Sequence, residues 1–410
     1  MNKLKELLLR YDTAIWVRVF GTMLTTTTGF MLRPFLVLYL YDKLGGSVLL
    51  PMVIVGLQPL MGILISLWGG GMTDRYGRKP LMLIALVIEA LSMTGFVYAQ
   101  SVWEFAALTI LNGLGMALFY PAANAQIADI IPEEQRAEIF ALLHTALNVG
   151  AAVGPLLGFI VFTKDPSFVF GISAVAFVIY ALVVWWKVPE TMPVKEKHEH
   201  SAVRQSQPFR IADHKTLFLI TFFAIPVSLL YAQTEATLPL HLKTYFANYQ
   251  SVLVTLMTIN GAVVILLQLW IAKRTEKLNP AKVILVSYLL FAIVSYGYGW
   301  LPVLSLLIVN EVLFTIGEMM NGPHIQKAVS LLAPSEMRGR YFSIFGMSWQ
   351  ISKAVGPLLG GVLMTKFGGA VMFSCIGLLL FLSGMAQYRI LNSVEKKRVQ
   401  TSSDNVAVSN

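Results

Sequence analysis

Long apolar runs recur along the whole chain and constrain its fold more than any other feature. A helix that crosses a bilayer needs about 20 mostly apolar residues, and twelve such runs can be delimited here. They span residues 14–40, 47–70, 80–99, 103–130, 138–163, 167–187, 215–241, 251–272, 283–300, 303–331, 340–365 and 369–389. Charged residues make up only 13% of the chain, roughly half the share in soluble domains. The runs are continuous rather than alternating, so we expect membrane-spanning helices and not a barrel.

The heptapeptide AVGPLLG occurs twice, at residues 152–158 and 354–360, which are 202 residues apart. The same offset relates Pro121 to Pro323 and Arg136 to Arg338, which indicates an internal duplication. Small residues let helices approach closely, and proline bends a helix. The expected hinge and packing positions are Gly154, Pro155, Gly158, Gly356, Pro357 and Gly360.

The duplication predicts two pseudo-symmetric six-helix bundles, residues 1–188 and 215–392, joined by a cytoplasmic linker, 189–214. Residues 393–410 are expected to form a cytoplasmic tail. Lys and Arg concentrate in alternate connections, which places both termini in the cytoplasm. This distribution explains the net charge of +9 without a nucleic-acid partner.

The linker contains the only tempting metal pattern, His198, Glu199 and His200. A solvated linker is the simpler interpretation, so we expect no metal and no cofactor. No nucleotide-binding Gly-Lys-Ser/Thr signature is present, which argues against ATP-driven transport.

Two motifs resemble those of a known family. The stretch GGMTDRYGRKP, residues 70–80, resembles the loop signature of the major facilitator superfamily, and NVGAAVGPLLGF resembles the antiporter signature of its drug:proton export branch. The resemblance implies the twelve-helix major facilitator fold and a transporter rather than an enzyme. It also implies an inner gate at the cytoplasmic side, formed by Asp74, Arg75, Gly77, Arg78 and Asp129.

Ionisable residues inside the predicted spans are candidates for function, because a charge at mid-membrane costs at least about 2.5 kcal/mol. The main candidates are Arg33 in span 1, Glu235 in span 7, and Glu311 and Glu318, two helical turns apart in span 10. Simple structural pairs are an alternative: Arg33 with Glu311, or Lys353 with Glu318. For Glu89 in span 3 we expect a structural polar contact, and for His144 a buried hydrogen-bonded side chain.

A narrower resemblance concerns TEATLPLHL and LFTIGEMMNGP, which look like segments of bacterial multidrug:proton antiporters. Glu235 and Glu318 match acidic positions that bind protons and attract lipophilic cations in that group. An Arg common in span 4 of drug antiporters is replaced by Thr109, so its role does not carry over.

The combined prediction is a proton-coupled exporter of lipophilic, cationic or other amphipathic small molecules. We expect a monomer in the bacterial cytoplasmic membrane, whose partners are its substrate, protons and the lipid bilayer. The possible cavity lining comprises Tyr120, Tyr231, Trp349, His144 and Lys353. The alternative is a carrier dedicated to one metabolite, such as a siderophore, a sugar, a peptide or an anionic compound bound through Arg33. Arg33 and Glu235 are also predicted to form an ion pair when the cavity is closed to the outside.

Overall fold

A computed structural model of the chain describes residues 11–68, 75–131, 133–162, 165–191, 214–334 and 337–409. Regular secondary structure within these ranges is helical throughout, which confirms the predicted all-α membrane class. The described helices are α1 (Thr13–Lys43), α2 (Leu49–Trp68), α3 (Arg78–Tyr98), α4 (Val102–Ile130), α5 (Glu133–Phe162), α6 (Pro166–Lys187), α7 (Lys215–Glu235), α8 (Thr237–Tyr245), α9 (Tyr249–Thr275), α10 (Pro280–Trp300), α11 (Leu304–Leu332), α12 (Arg338–Phe367) and α13 (Gly369–Ser409).

Within the described ranges, nine helices are long and apolar enough to cross a membrane. Helix α1 makes a tenth if its segments Thr13–Arg33 and Phe35–Lys43, bent by 44° at Pro34, count as one span. Proline removes a backbone N–H from the helix, which accounts for a bend there. Every predicted span overlaps a helix, but the apolar stretch of α2 is shorter and α12 is less apolar. The count of twelve crossings therefore stays a prediction.

Several helices begin where the sequence supplies a capping side chain. Ser101 and Glu104 form a reciprocal capping box at the start of α4. Asp165 caps α6, whose first residue is Pro166, and Asn279 caps α10 in the same way. Such caps satisfy backbone N–H groups that the first helical turn leaves without partners.

Predicted span 7 is interrupted near its C-terminal end instead of forming one helix. Helix α7 ends at Glu235, and α8 begins at Thr237 after Ala236 leaves the regular helical geometry. Pro239 lies four residues after Glu235 and has no backbone N–H. It therefore cannot donate the helical hydrogen bond to the Glu235 carbonyl oxygen. The break therefore places Glu235 at a helix end.

The helices belong to two compact units. The first unit contains α1–α6 and the start of α9, Asn248–Thr258. The second contains α7, α8, the rest of α9 from Ile259, and α10–α13. Most of the predicted linker, including His198, Glu199 and His200, lies outside the described residues. The described part of the predicted tail continues α13 as a helix to Ser409.

In the first unit, glycines of the antiporter-like motif pack α5 directly onto α1. A Cβ added at Gly154 would lie 2.7 Å from the Thr27 carbonyl oxygen, and one at Gly158 would lie 2.5 Å from the Met31 carbonyl oxygen. Both distances are shorter than van der Waals contact. The motif thus acts here as a small-residue seam inside one unit.

In the second unit, the repeated motif packs α12 onto α7 with side chains between the helices. A Cβ at Gly356 would lie 3.1 Å from the side chains of Leu229 and Ala232. A Cβ at Gly360 would overlap the Gln233 side chain, which donates a hydrogen bond of 2.8 Å from Nε2 to the Gly356 carbonyl oxygen. Both copies of the motif serve packing within their own unit, and a hinge role for Pro155 and Pro357 stays a prediction.

Candidate transport site

A cavity of about 300 Å³ lies within the second unit, among α7, α10, α11 and α12. Glu318 lies on its wall together with Tyr231, Tyr288, Phe345 and Trp349. The rings of Tyr231 and Trp349 are 5.4 Å apart between centroids. The structure therefore brings one predicted acidic residue and two predicted lining aromatics together.

The Glu318 carboxylate accepts a hydrogen bond from a neighbouring helix: Asn260 on α9 donates from Nδ2 at 3.1 Å. Tyr231 on α7 lines the same cavity. The same Asn260 nitrogen lies 3.0 Å from the Thr315 hydroxyl oxygen, one turn along α11. These contacts fix the orientation of a carboxylate beside a cavity.

Glu311 lies two turns from Glu318 on α11 and is 6% exposed. Its Oε2 accepts a hydrogen bond of 2.6 Å from the buried Tyr298 hydroxyl. Asn310 next to it donates to the Val294 carbonyl oxygen on α10. In this structure the Glu311 carboxylate is thus satisfied within the second unit by a phenol.

Glu235 forms an ion pair with Lys353 on α12, with 2.5 Å between Oε2 and Nζ. Lys353 Nζ also lies 5.0 Å from the centroid of the Trp349 ring. Lys353 therefore pairs with Glu235 rather than with Glu318. The alternative pairing of Lys353 with Glu318, inferred from their similar depth along neighbouring spans, is therefore wrong. The Arg33–Glu235 pair joins residues of different units and stays a prediction.

In the first unit, Arg78 at the start of α3 contacts Asp129 near the end of α4, with 3.0 Å between Nε and Oδ2. Gly77 before it has a φ of 92°, a conformation that favours glycine. Arg75 stacks over Tyr76, 5.4 Å from the ring centroid. Asp74 lies outside the described residues. Two of the predicted gate residues thus meet, and their gating role stays a prediction.

Sequence analysis missed Glu190, which lies after the end of α6. Its carboxylate accepts hydrogen bonds from the backbone N–H groups of Arg78 at 3.0 Å and Lys79 at 3.1 Å. A carboxylate at a helix N-terminus satisfies free N–H groups and is favoured by the helix dipole. The contact spans more than 110 residues, and the signal in the sequence is an acidic residue just beyond the predicted end of span 6.

A second cavity, of about 90 Å³, lies within the first unit among α1, α2, α3, α4 and α6. Arg33, Glu89 and Tyr120 line it, with Gln58 and Asn112. Arg33 is exposed and stacks on Phe30, 5.0 Å from the ring centroid. Thr109 also lies on this wall, where its hydroxyl donates to the Phe105 carbonyl oxygen. His144 lies in α5, and its side chain is outside the described part.

A helical membrane fold with acidic side chains on internal cavities defines the class of multi-pass membrane transporters. The sequence model of the Major Facilitator Superfamily matches residues 19–317 and 236–407. The chain belongs to the Major Facilitator Superfamily, a family of transporters and not of enzymes.

Curated relatives agree with this assignment over nearly the whole chain. The chain is 36% identical over 391 residues to the uncharacterized MFS-type transporter YhjO of Bacillus subtilis (strain 168), covering 95% of this chain and 96% of that protein. It is 27% identical over 422 residues to a Na(+), Li(+), K(+)/H(+) antiporter of Planococcus maritimus, covering 95% and 98%. It is 25% identical over 369 residues to the multidrug resistance protein MdtH of Shigella sonnei (strain Ss046), covering 88% and 90%.

Solved structures share the fold at low sequence identity. The POT family transporter PepTSo superimposes with a TM-score of 0.75 at 13% identity, over 94% of this chain and 99% of that one. The chain is thus a small-molecule transporter of the major facilitator fold in a membrane.

Proposed function

We propose that the protein is a proton-coupled exporter of lipophilic cations and related amphipathic compounds, working by alternating access in the bacterial cytoplasmic membrane with both termini inside. The observation that carries the proposal is the second-unit cavity, in which one carboxylate faces an aromatic wall. The two relatives that are named for an activity, a cation/H(+) antiporter and a multidrug resistance protein, support the same class.

The size and lining of this cavity suit a lipophilic cation. Drug-sized ligands occupy pockets of about 300–1,000 Å³, so about 300 Å³ is enough for a small one. Tyr231, Phe345 and Trp349 offer apolar faces, and aromatic rings also attract cations. Glu318 supplies the negative charge that an apolar pocket otherwise lacks.

Exchange follows from competition at Glu318. A carboxylate in a membrane interior is stable either protonated or beside a cation, and one group cannot hold both at once. A proton arriving from outside would release a bound cation, and a cation from inside would displace the proton. Glu235, held by Lys353, and Glu311, held by Tyr298, are the further carboxylates proposed to act in coupling.

The test uses purified protein in proteoliposomes with an imposed pH gradient and a fluorescent lipophilic cation. Glu318→Gln keeps the shape and hydrogen-bonding capacity of the side chain but cannot ionise, so gradient-driven accumulation should fall to the level of empty vesicles. Glu276→Gln, the same change at an exposed position after α9, should match the parent protein. Gradient-driven transport by Glu318→Gln at the parent rate would refute the proposal.

The second candidate is a carrier for one anionic metabolite, favoured by Arg33 alone. Its guanidinium lines the first-unit cavity, and no ion pair to it occurs among the described residues. In the same vesicles, this function predicts accumulation of an organic anion that is lost in Arg33→Gln, without transport of the cationic dye.

A further inference from the structure

The first-unit cavity holds a buried carboxylate that the proposed site does not use. Glu89 lies near the middle of α3 and is 3% exposed. Sequence analysis assigned it a structural contact, yet the structure places it on the wall of a cavity.

Among the described residues, only one of the two Glu89 carboxylate oxygens accepts a well-formed hydrogen bond. Asn112 on α4 donates from Nδ2 to Oε2. Gln58 on α2 donates in turn to the Asn112 side-chain oxygen at 2.5 Å, which fixes the orientation of that amide. Oε1 lies beside the Gly115–Met116 backbone and accepts no well-formed hydrogen bond within the described part of the chain.

Two glycines of α4 create this arrangement. A Cβ at Gly115 would lie 2.8 Å from Glu89 Oε1, and one at Gly113 would lie 2.6 Å from the Gln58 carbonyl oxygen. Larger residues would separate α4 from both neighbours. The close packing of α3, α4 and α2 therefore makes room for a polar triad, Glu89, Asn112 and Gln58, among mostly apolar side chains.

The cavity is smaller than the pockets that hold drug-sized ligands. Its volume of about 90 Å³ has room for a few water molecules, whereas such pockets measure about 300–1,000 Å³. Its wall is mostly apolar apart from the triad, three threonines, Ser173, Tyr120 and Arg33. A species that reaches Glu89 through such a space must be small, and it must bind to a carboxylate oxygen.

The charges around Glu89 decide which small species it binds. Arg33 on α1 and Tyr120 on α4 are the other titratable groups on the wall, while the lining residues from α2 and α6 carry none. No described residue forms an ion pair with Glu89. A buried carboxylate without a counter-ion is stabilised by taking up a proton, whereas approach of the Arg33 guanidinium, which keeps its charge, favours proton release.

We propose that Glu89 is a proton-binding site of the first unit, which exchanges its proton through the water-sized cavity under the influence of Arg33. The site is separate from Glu318 and belongs to the other compact unit. Its use in driving export rests on the proposed function, but the binding of the proton itself does not.

The test measures the proton directly and needs no substrate. In difference infrared spectra of the protein in lipid nanodiscs, a pH jump should reveal the carbonyl-stretching band of protonated carboxylic acids. Glu89→Gln should remove one component of that band, and Glu276→Gln should leave the band unchanged. The double variant Glu89→Gln with Asn112→Asp exchanges the carboxyl and the amide across the same hydrogen bond. It should therefore restore a titrating component of the carbonyl-stretching band.

Three outcomes would overturn the proposal. The first is an unchanged band in Glu89→Gln while the variant protein remains folded. The second is loss of the band that the Asn112→Asp partner change does not restore. The third is a component that responds to sodium instead of pH, which would make the site an alkali-cation site. Because none of these readouts uses a transported compound, failure of the export proposal would appear only in the vesicle assay.

Discussion

Replacing Gly158 by alanine tests whether backbone contact between α5 and α1 holds the first unit together. The added Cβ would lie 2.5 Å from the Met31 carbonyl oxygen and 2.9 Å from its Cα. Carbon atoms in good contact are about 3.5–4.0 Å apart, so the helices must separate by about 1 Å. Backbone atoms cannot rotate away as a side chain can, so strain of this kind costs about 1–3 kcal/mol.

The same change elsewhere provides a matched control. Gly171 on α6 has no atom within 4 Å of the position its Cβ would take. Alanine is favoured over glycine in a helix by about 0.8–1.0 kcal/mol, so Gly171→Ala should stabilise the protein slightly. Gly158→Ala gains the same helix propensity, so its net effect is smaller than the steric cost alone.

The assay is thermal unfolding of the purified protein in one detergent, followed by intrinsic tryptophan fluorescence. At roughly 2–4 °C per kcal/mol for a unit of this size, the transition of Gly158→Ala should lie several degrees below that of Gly171→Ala. Gly171→Ala should leave it equal or raised. Equal transitions for both variants would show that the seam between α1 and α5 is loose, and the close-packing argument would fail.

Two ion pairs give the remaining predictions. Lys353→Met removes the ion pair with Glu235 and should destabilise the second unit. The loss should lie between roughly 1 kcal/mol, the value of an exposed pair, and about 3–5 kcal/mol, the cost of breaking a buried one. Adding Glu235→Gln should recover most of that loss in the same unfolding assay, and an additive double variant would contradict the pair. Arg78→Met removes the contact to Asp129, so amide exchange should quicken at the start of α3 and the end of α4. Arg75→Met, which removes only a stacking contact on a ring, is the control and should leave both segments unchanged.

Composition was sufficient for the all-α membrane class, because each membrane helix satisfies its own backbone hydrogen bonds and therefore needs a long apolar run. The duplicated motif also identified the packing glycines. The loop motif brought Arg78 and Asp129 to attention, and the structure places them in contact. In each case the prediction rests on a short contiguous segment of the sequence or on a segment that occurs twice.

The side-chain partners inside the membrane could not be predicted in the same way. Depth along a helix axis can be counted from sequence, but rotation about that axis is set by packing against neighbours. Similar depth therefore suggested a pair between Lys353 and Glu318, whereas the structure pairs Lys353 with Glu235. The Glu89 cavity was missed for a related reason, since it depends on Gly113 and Gly115 of another helix.

The two units use equivalent helix seams for different chemistry. Met31 contacts Gly158 in the first unit, and Gln233 contacts Gly360 in the second, so the 202-residue offset relates both members of each contact. The same offset relates Arg33 to Glu235, and Thr109 to Glu311. Two carboxylates of the second unit thus have an arginine and a neutral threonine as their equivalents in the first. Since the first-unit cavity is water-sized and the second is large enough for a small ligand, the framework itself does not set the function. The polar substitutions on it distinguish the units, and the two proposals, a proton on Glu89 in the first unit and a cationic substrate at Glu318 in the second, rest on them.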